Sequence, residues 1–270
     1  MSRLVLGDAL HFSISQLKSW LRCPRFFEFR YVRGLQPEFT PMNLAFGSAF
    51  HATLAHMYTA LKERGAVPTL EEAQQHLFEE WKKGGSQAVP LQAEEDEKIG
   101  WDDLLDLGFR MLVPMRELVA GVDPKAVVAV EQPFVVDVHH PDTGEVLDEK
   151  LVGVIDLVLE EEGYRVVVEH KTAARKFTAD QVRYDLQPAA YGFAAGKLGW
   201  GEVGLRFQVV TKAKVPAVQV EDLRRDADDV SDFLRTTVGV LKAVDAGISF
   251  PLRGWQCRTC QYRAACGARR

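Results

Sequence analysis

Leu151-Val152-Gly153-Val154-Ile155-Asp156-Leu157-Val158-Leu159, followed beyond Glu162-Gly163 by Tyr164-Arg165-Val166-Val167-Val168-Glu169-His170-Lys171, is the stretch that decides how this chain folds. Both halves are rich in aliphatic and β-branched residues, which suit a pleated, buried surface. The X-Gly pair between them suits a two-residue hairpin turn. With that turn Glu161 pairs with Tyr164, and counting back along the register sets Asp156 opposite Glu169. Directly opposed residues have Cβ atoms about 4.5–5.5 Å apart on one face of a sheet. Alternation puts Lys171, two residues beyond Glu169, on the same face. The hairpin therefore predicts two carboxylates and an ammonium converging within apolar strands.

Opposed carboxylates in apolar surroundings repel each other and lose solvation unless a cation neutralises them. A hard divalent ion with oxygen ligands does this and keeps water positions open for chemistry. The bland alternative leaves Asp156 in solvent at a strand end, with Glu169 and Lys171 a surface ion pair. The unbroken apolar run on both sides of Asp156 argues against it. Gly153 lacks a Cβ three residues before Asp156 and leaves room for close approach of backbone or ligand. Glu131, in the preceding β-rich stretch, reads equally as an accessory acid of the site or as a surface charge on a strand edge.

Outward from the hairpin, Val127 to Val138 is β-rich, and Pro141-Asp142-Thr143-Gly144 forms a turn before the long apolar strand. Beyond it the patterning predicts a helix over 185–197, strands over 203–211 and 215–220, and a last helix over 226–246. On the N-terminal side Phe12 to Tyr31 reads as helical, with Ser13 and Gln16 as a capping box. Pro24 kinks or restarts that helix just after Cys23. Helices are also predicted over 46–64, 69–83 and 95–120. The order predicts an α/β fold: a mixed central sheet flanked by helices, with an N-terminal helical elaboration and a cysteine-cluster tail. No internal repeat or flexible linker divides it. One domain is expected over 1–270, with a helical part about 12–121, an α/β core about 125–246, and a tail over 251–270 joined by Cys23.

The 270 residues are 47% hydrophobic and 26% charged, an ordinary globular balance that excludes whole-chain disorder. No apolar run approaches the ~18 residues of a bilayer span, and Met1 to Asp8 lacks a signal-like apolar core. A cytoplasmic protein without membrane contact is expected. Acids outnumber bases 38 to 33, for a net charge of −5, which argues against a uniformly basic DNA-coating protein but permits a local basic groove. Positive charge gathers at Arg22, Arg25, Arg30 and Arg33 and again at Arg253, Arg258, Arg263, Arg269 and Arg270. The acidic runs Glu94-Glu95-Asp96-Glu97 and Glu160-Glu161-Glu162 read as solvated faces.

Cys257, Cys260 and Cys266 form C-x2-C-x5-C, and Cys23 stands near the other end. In a cytosolic chain such a cluster suggests metal before disulfide. Four thiolates hold either a structural zinc or an iron–sulfur cluster. Zinc favours paired C-x2-C knuckles and Cys23 has no near partner, yet these residues alone leave the two choices even.

Asp156-x12-Glu169-x-Lys171 resembles the signature of the PD-(D/E)XK nuclease superfamily. It is most similar to the RecB-type exonuclease branch, which includes the nuclease domains of RecB and AddB and the CRISPR-associated adaptation exonucleases. Phe46-Gly47-Ser48-Ala49-Phe50-His51 resembles the branch's helical metal-histidine motif, and Gln187-x3-Tyr191 its Q-x3-Y motif. Ser15-Gln16-Leu17 through Cys23-Pro24-Arg25-Phe26 resembles the helix carrying the first cluster cysteine, and the tail is similar to the segment with the other three. The likeness runs from about residue 11 to 267. It implies a restriction-endonuclease-like sheet in which Asp156, Glu169, His51 and the His170 backbone carbonyl ligate Mg²⁺ or Mn²⁺. Lys171 would orient or help deprotonate the attacking water and stabilise charge at the phosphate. Gln187 and Tyr191 would support Lys171 or a phosphate, and the four cysteines would hold a [4Fe–4S] cluster, with zinc less favoured.

Read without the family, His51 is more often a structural histidine than a ligand, and Gln187 and Tyr191 read equally as site residues or as an ordinary polar contact and a core-edge aromatic. Only the Gly47-x3-His51 spacing and the family likeness set His51 apart from His56. The chain departs from the family at Ile155, where Pro is usual, and at Pro188, which makes the helix begin or bend beside Gln187. The implied function is a metal-dependent deoxyribonuclease, an exonuclease acting on single-stranded or free DNA ends in repair, recombination or CRISPR-type processing. Arg175, Lys176 and Arg183 are candidate phosphate contacts. Nothing resembles a P-loop or a helicase motor, so unwinding would fall to a helicase or to a CRISPR adaptation or repair partner. The competing readings are a non-catalytic iron–sulfur DNA-binding subunit of a larger complex and a zinc-stabilised interaction module.

Overall fold

The computed structural model describes residues 5–6, 9–85, 90–92 and 100–267. Glu94-Glu95-Asp96-Glu97, the predicted helix start at 95, Arg269 and Arg270 lie outside the described residues. Strands β1 (Val5–Leu6) and β2 (Ala9–Ser13) come first, then helices α1 (Ile14–Arg22) and α2 (Pro24–Phe27), a π-helical turn over Glu28–Val32, and strand β3 (Thr40–Pro41). Helices α3 (Met42–Arg64) and α4 (Leu70–Gly85), strand β4 (Leu91–Gln92) and helix α5 (Trp101–Ala120) follow. The second half holds β5 (Val127–His139), β6 (Val146–Glu161), β7 (Tyr164–Ala173), α6 (Ala179–Tyr184) and α7 (Leu186–Lys197). It ends with β8 (Gly204–Thr211), β9 (Val218–Leu223), α8 (Ala227–Asp245) and α9 (Arg263–Cys266).

Local chemistry accounts for the key boundaries. Ser13 and Gln16 make the expected capping box at the start of α1, and Pro24 opens α2 directly after an extended Cys23. Glu162 and Gly163 have φ of 50° and 84°, the positive pair a type I′ hairpin turn requires. Other boundaries differ from expectation. Phe12 belongs to β2 and not to a helix, because β2 is only five residues long and carries too little alternation to be seen. α3 begins at Met42, behind Pro41, and α5 at Trp101. A separate helix, α6, precedes α7, and β9 runs to Leu223 instead of ending at 220.

Among the described residues the main sheet is mixed and seven-stranded, in the order β1-β2-β6-β7-β8-β9 with β5 also on β6. Its two faces carry separate cores. On one face Leu157, Leu159, Val166, Val168 and Val210 pack under α3, α4 and α5, around Phe50, Met57 and Trp81. On the other, Ile155, Val158, Val167 and Leu205 pack against α1, α7 and α8 through Leu17, Tyr191, Phe193 and Phe233. Burial of these aliphatic and aromatic side chains, at roughly 1.5–3 kcal/mol each before entropy, is what holds helices to both faces. The α/β architecture expected from the sequence is the one observed, with helices covering both faces of a mixed sheet.

One irregularity of this sheet positions the site. β5 pairs with β6 along nearly its whole length, so β2 and β7 must share the opposite edge of β6. There β2 covers Lys150 to Val152 and β7 covers Leu157 to Glu161. Gly153 to Asp156 lie between them with no ladder partner on that edge. The alternation of β6 also turns over at this point: Ile155 faces the α7 core, and Leu157, two residues on, faces the α3 core. In β5 the residue in register with Asp156 is Glu131, which has a φ of 50° and is absent from the ladder between Val130 and Gln132.

Candidate active site

The predicted register holds from Glu161↔Tyr164 to Leu157↔Val168 and stops one pair short of Asp156 and Glu169. The Asp156 carboxylate takes over where the ladder ends, and its Oδ2 accepts the His170 backbone N–H at 2.8 Å. His51 approaches the same oxygen from α3, with Nδ1 at 3.5 Å. Glu169 points the other way, toward α7, where Oε2 accepts from the Tyr191 hydroxyl at 2.8 Å. The acids therefore do not sit on one face of the hairpin, as the alternation suggested. They meet in the opening of the sheet, one reached from α3 and the other from α7.

Lys171 Nζ donates to Glu169 Oε1 and, at 2.8 Å, to Gln187 Oε1. Gln187 Nε2 donates to the Tyr191 oxygen at 2.8 Å, and the Tyr191 hydroxyl also lies 3.1 Å from the Val154 carbonyl. That carbonyl belongs to the unpaired stretch of β6, and the single Tyr191 proton can go either to it or to Glu169. Pro188 causes no displacement of Gln187: it is the third residue of α7, in the first turn, where a missing N–H costs nothing. Gly153 is needed for a side chain rather than for a ligand. A Cβ there would lie 2.6 Å from the Phe134 ring, which in turn meets Tyr191 edge-on at 6.2 Å.

Charge is tightly coupled here. Burial raises the pKa of Glu169, and the Asp156 charge adds to the rise despite Lys171. Burial pushes Asp156 upward too, but the His51 hydrogen bond and the His170 amide outweigh it and hold its pKa below the ordinary value. His51 is raised: burial opposes its charge, and Asp156 more than offsets that. Burial also works against the Lys171 ammonium, yet Glu169 holds it above the usual lysine range. Glu131 is raised by partial burial and next by the Asp156 charge, so this exposed acid lies within electrostatic reach of the site. The His170 ring lies on the α3 side, edge-on to His51 at 6.2 Å and stacked on Tyr58 at 5.5 Å, and burial holds its pKa down to about 4.

His56 is not part of the site; it stacks on His76 at 4.3 Å. Arg175, Lys176 and Arg183 are exposed on the segment joining Lys171 to Gln187. Two residues that the sequence reading passed over also belong to the network. Asp185 Oδ1 caps α7 by accepting the Gln187 N–H at 2.8 Å, and Lys18 of α1 reaches that oxygen at 2.6 Å. An aspartate just ahead of the Q-x3-Y helix is an N-cap signal that could have exposed the first of them.

Among the described residues, no group of three or more His, Cys, Asp or Glu stands as a formed metal site. The chemistry of the donors nevertheless suits a hard divalent ion. Two largely buried carboxylates, Asp156 and Glu169, lie close enough to perturb each other beside the His51 imidazole, and oxygen donors of this kind are those such an ion takes. Such a set beside an ammonium can activate water and stabilise an anionic transition state.

The cysteines come together at the other end of α1. Cys23, Cys257, Cys260 and Cys266 line one pocket and all four are free thiols. The Cys260 thiol is raised by burial and then further by the other three. The tail also has docking contacts that do not involve the cysteines. Tyr262 is 2% exposed and packs edge-on against Phe26 at 5.2 Å. The Glu38 N–H donates to the Gln261 carbonyl at 2.9 Å, and the Arg25 N–H to the Phe250 carbonyl at 3.1 Å.

The family model of the PD-(D/E)XK nuclease superfamily matches residues 11–267. No curated protein matches the chain by sequence. Among solved structures the chain is similar to a protein from Eubacterium rectale named "Putative exonuclease", with a TM-score of 0.53 and 14% identity, covering 93% of this chain and 87% of that one. It also matches SSO0001 with a TM-score of 0.40 and 11% identity, over 94% of this chain and 95% of the other. At 14% identity the first likeness is one of fold.

Proposed function

Since the chain belongs to the PD-(D/E)XK nuclease superfamily, we propose that it is a metal-dependent deoxyribonuclease that degrades DNA from single-stranded or free ends, within the RecB-like branch. The observation that carries this reading is the convergence of Asp156, Glu169 and Lys171, with Gln187 and Tyr191, on the unpaired stretch of β6. Asp156, Glu169, His51 and the His170 carbonyl are the groups that would hold Mg²⁺ or Mn²⁺, with Glu131 within electrostatic reach. When bound, such an ion supplies a water of lowered pKa and relieves charge on the phosphate oxygens.

The chain's own residues do the rest. Lys171, gripped by Glu169 and Gln187, orients the attacking water and lends positive charge to the scissile phosphate. Tyr191 holds Glu169 beside the open carbonyl of Val154. Arg175, Lys176 and Arg183 meet the DNA backbone just beyond the site and give grip without reading sequence. Cys23, Cys257, Cys260 and Cys266 hold a [4Fe–4S] cluster with a structural role; their shared pocket and free thiols suit a four-thiolate metal centre, and the family likeness favours iron–sulfur over zinc. A DNA repair or CRISPR adaptation setting, with a partner that unwinds duplex, suits a nuclease without a motor.

The test is cleavage of end-labelled single- and double-stranded DNA with Mg²⁺, Mn²⁺ or EDTA. Single-stranded ends should be shortened progressively, with no cleavage in EDTA. Asp156→Ala, Glu169→Ala and Lys171→Ala should each lower the rate by ~10³-fold or more while circular dichroism stays native. Near-normal Mn²⁺-dependent cleavage by any of the three would sink the assignment.

A further inference from the structure

We propose that Lys18 and Asp185 form a positioning pair that fixes Gln187, and through it the ammonium of Lys171, in a catalytic arrangement. The proposal rests on the nuclease reading given above. A single carboxylate oxygen, Asp185 Oδ1, receives both the Lys18 ammonium at 2.6 Å and the Gln187 backbone N–H at 2.8 Å. The backbone of Gln187 is thereby set by Asp185. Its side chain is held at both ends, with Oε1 accepting from Lys171 and Nε2 donating to Tyr191. A continuous chain of contacts runs from α1 through Asp185 and Gln187 to Lys171, Tyr191 and Glu169.

The chemistry of the pair exceeds what helix capping needs. Asn, Ser or Thr at position 185 would cap α7 about as well without burying a charge. The Asp185 side chain is only 17% exposed, and an unpaired carboxylate there would lose solvation with no return. Lys18 compensates it, although its own pKa is lowered by burial and by the nearby Lys171. Holding a second ammonium close to Lys171 runs against simple charge repulsion. It makes sense where the carboxylate between them has to stay ionised and still, so that the turn carrying Gln187 cannot drift. An error of about 1 Å in a positioned group can cost on the order of 10²-fold in rate.

The experiment measures kcat and KM on end-labelled single-stranded DNA, thermal melts, and amide hydrogen exchange across residues 186–191. Wild type is compared with Lys18→Met, Lys18→Arg, Asp185→Asn, Gln187→Ala and the Lys18→Met/Gln187→Ala double variant. Asp185→Asn keeps the cap and removes the charge. Lys18→Met and Asp185→Asn should each lower kcat by about 10- to 30-fold with KM little changed. Both should speed exchange in the first turn of α7, and Lys18→Arg should recover most of kcat. The double variant should be no slower than Gln187→Ala, since both act through the same side chain.

A raised KM with normal kcat, additive with Gln187→Ala, would instead make Lys18 a phosphate contact and overturn the proposal. So would a lower melting temperature with unchanged kcat and unchanged exchange. If wild type cleaves no DNA, the nuclease reading fails separately. Exchange at 186–191 then still decides the coupling, and unchanged exchange in Lys18→Met overturns it.

Discussion

Gly153 shows how a single residue ties the sheet to the site. The sequence marks it as a place where something comes close, and the structure identifies the visitor as Phe134 of β5. Gly153→Ala should destabilise the protein by roughly 1–3 kcal/mol, the usual cost of overpacking, because the added Cβ would meet the aromatic ring at 2.6 Å. Phe134 in turn abuts Tyr191, so the variant should also lose activity beyond its loss of folded protein. Thermal melts beside specific activity per folded molecule check this; an unchanged melt would contradict it. Asp156, Glu169, Lys171, Gln187 and Tyr191 were legible because each occupies a fixed spacing within a recognisable pattern. Lys18 and Asp185 were not, since one lies on a helix far away in sequence and only tertiary packing brings it to the other. The identity of the residue over Gly153 was equally hidden, because the pairing of β5 with β6 crosses a loop whose register the sequence does not dictate.

At the scale of elements, α3 and α4 meet through a stacked histidine pair, His56 on His76, with Thr53 Oγ1 3.3 Å from His76 Nδ1. Burial, and next the neighbouring His56, lower the pKa of His76 below the unfolded value of about 6.5. Its neutral form is therefore the one the fold prefers. The stability it contributes is fully present above the unfolded pKa and fades as pH falls through the lower folded pKa. The melting temperature should decline on acidification from pH 7 toward 5, and His76→Gln should flatten that decline. Identical pH profiles for variant and wild type would refute it. The long elements were readable, α3, α5 and α8 as apolar-rich stretches of helical length and β6 and β7 as aliphatic, β-branched runs. β2 and α6 were not, with five and six residues, too few to display a period. β2 matters most among the hidden elements, for it sets one side of the opening on β6.

For the molecule as a whole, two long-range effects can be measured. DNA binding should weaken steeply with salt despite the net charge of −5, because local cations and not the total meet the phosphates. Replacing Arg175, Lys176 and Arg183 together with Ala should shallow the log–log salt slope by about 2, at ~0.7 per phosphate lost on a single strand. A slope identical to wild type would remove those residues from the interface. Cys23→Ser should lose iron and lower the melting temperature, since it unlinks α1 from the tail. The packing of Tyr262 and the backbone bonds from Arg25 and Glu38 should leave the tail partly docked. Metal analysis and melts of anaerobically purified protein check both statements, and stoichiometric zinc in the wild type would overturn the iron assignment. The corner where these cysteines meet also has an order in time. A ribosome delivers Cys23 ahead of α3, and Cys257, Cys260 and Cys266 only after every strand of the main sheet. A nascent chain halted before Trp255 already possesses the acidic strands and lacks three of the four thiols. Synthesis order thus sets three of the four thiols behind the acidic hairpin, so no ion can be held by all four before that hairpin has left the peptidyl-transferase centre.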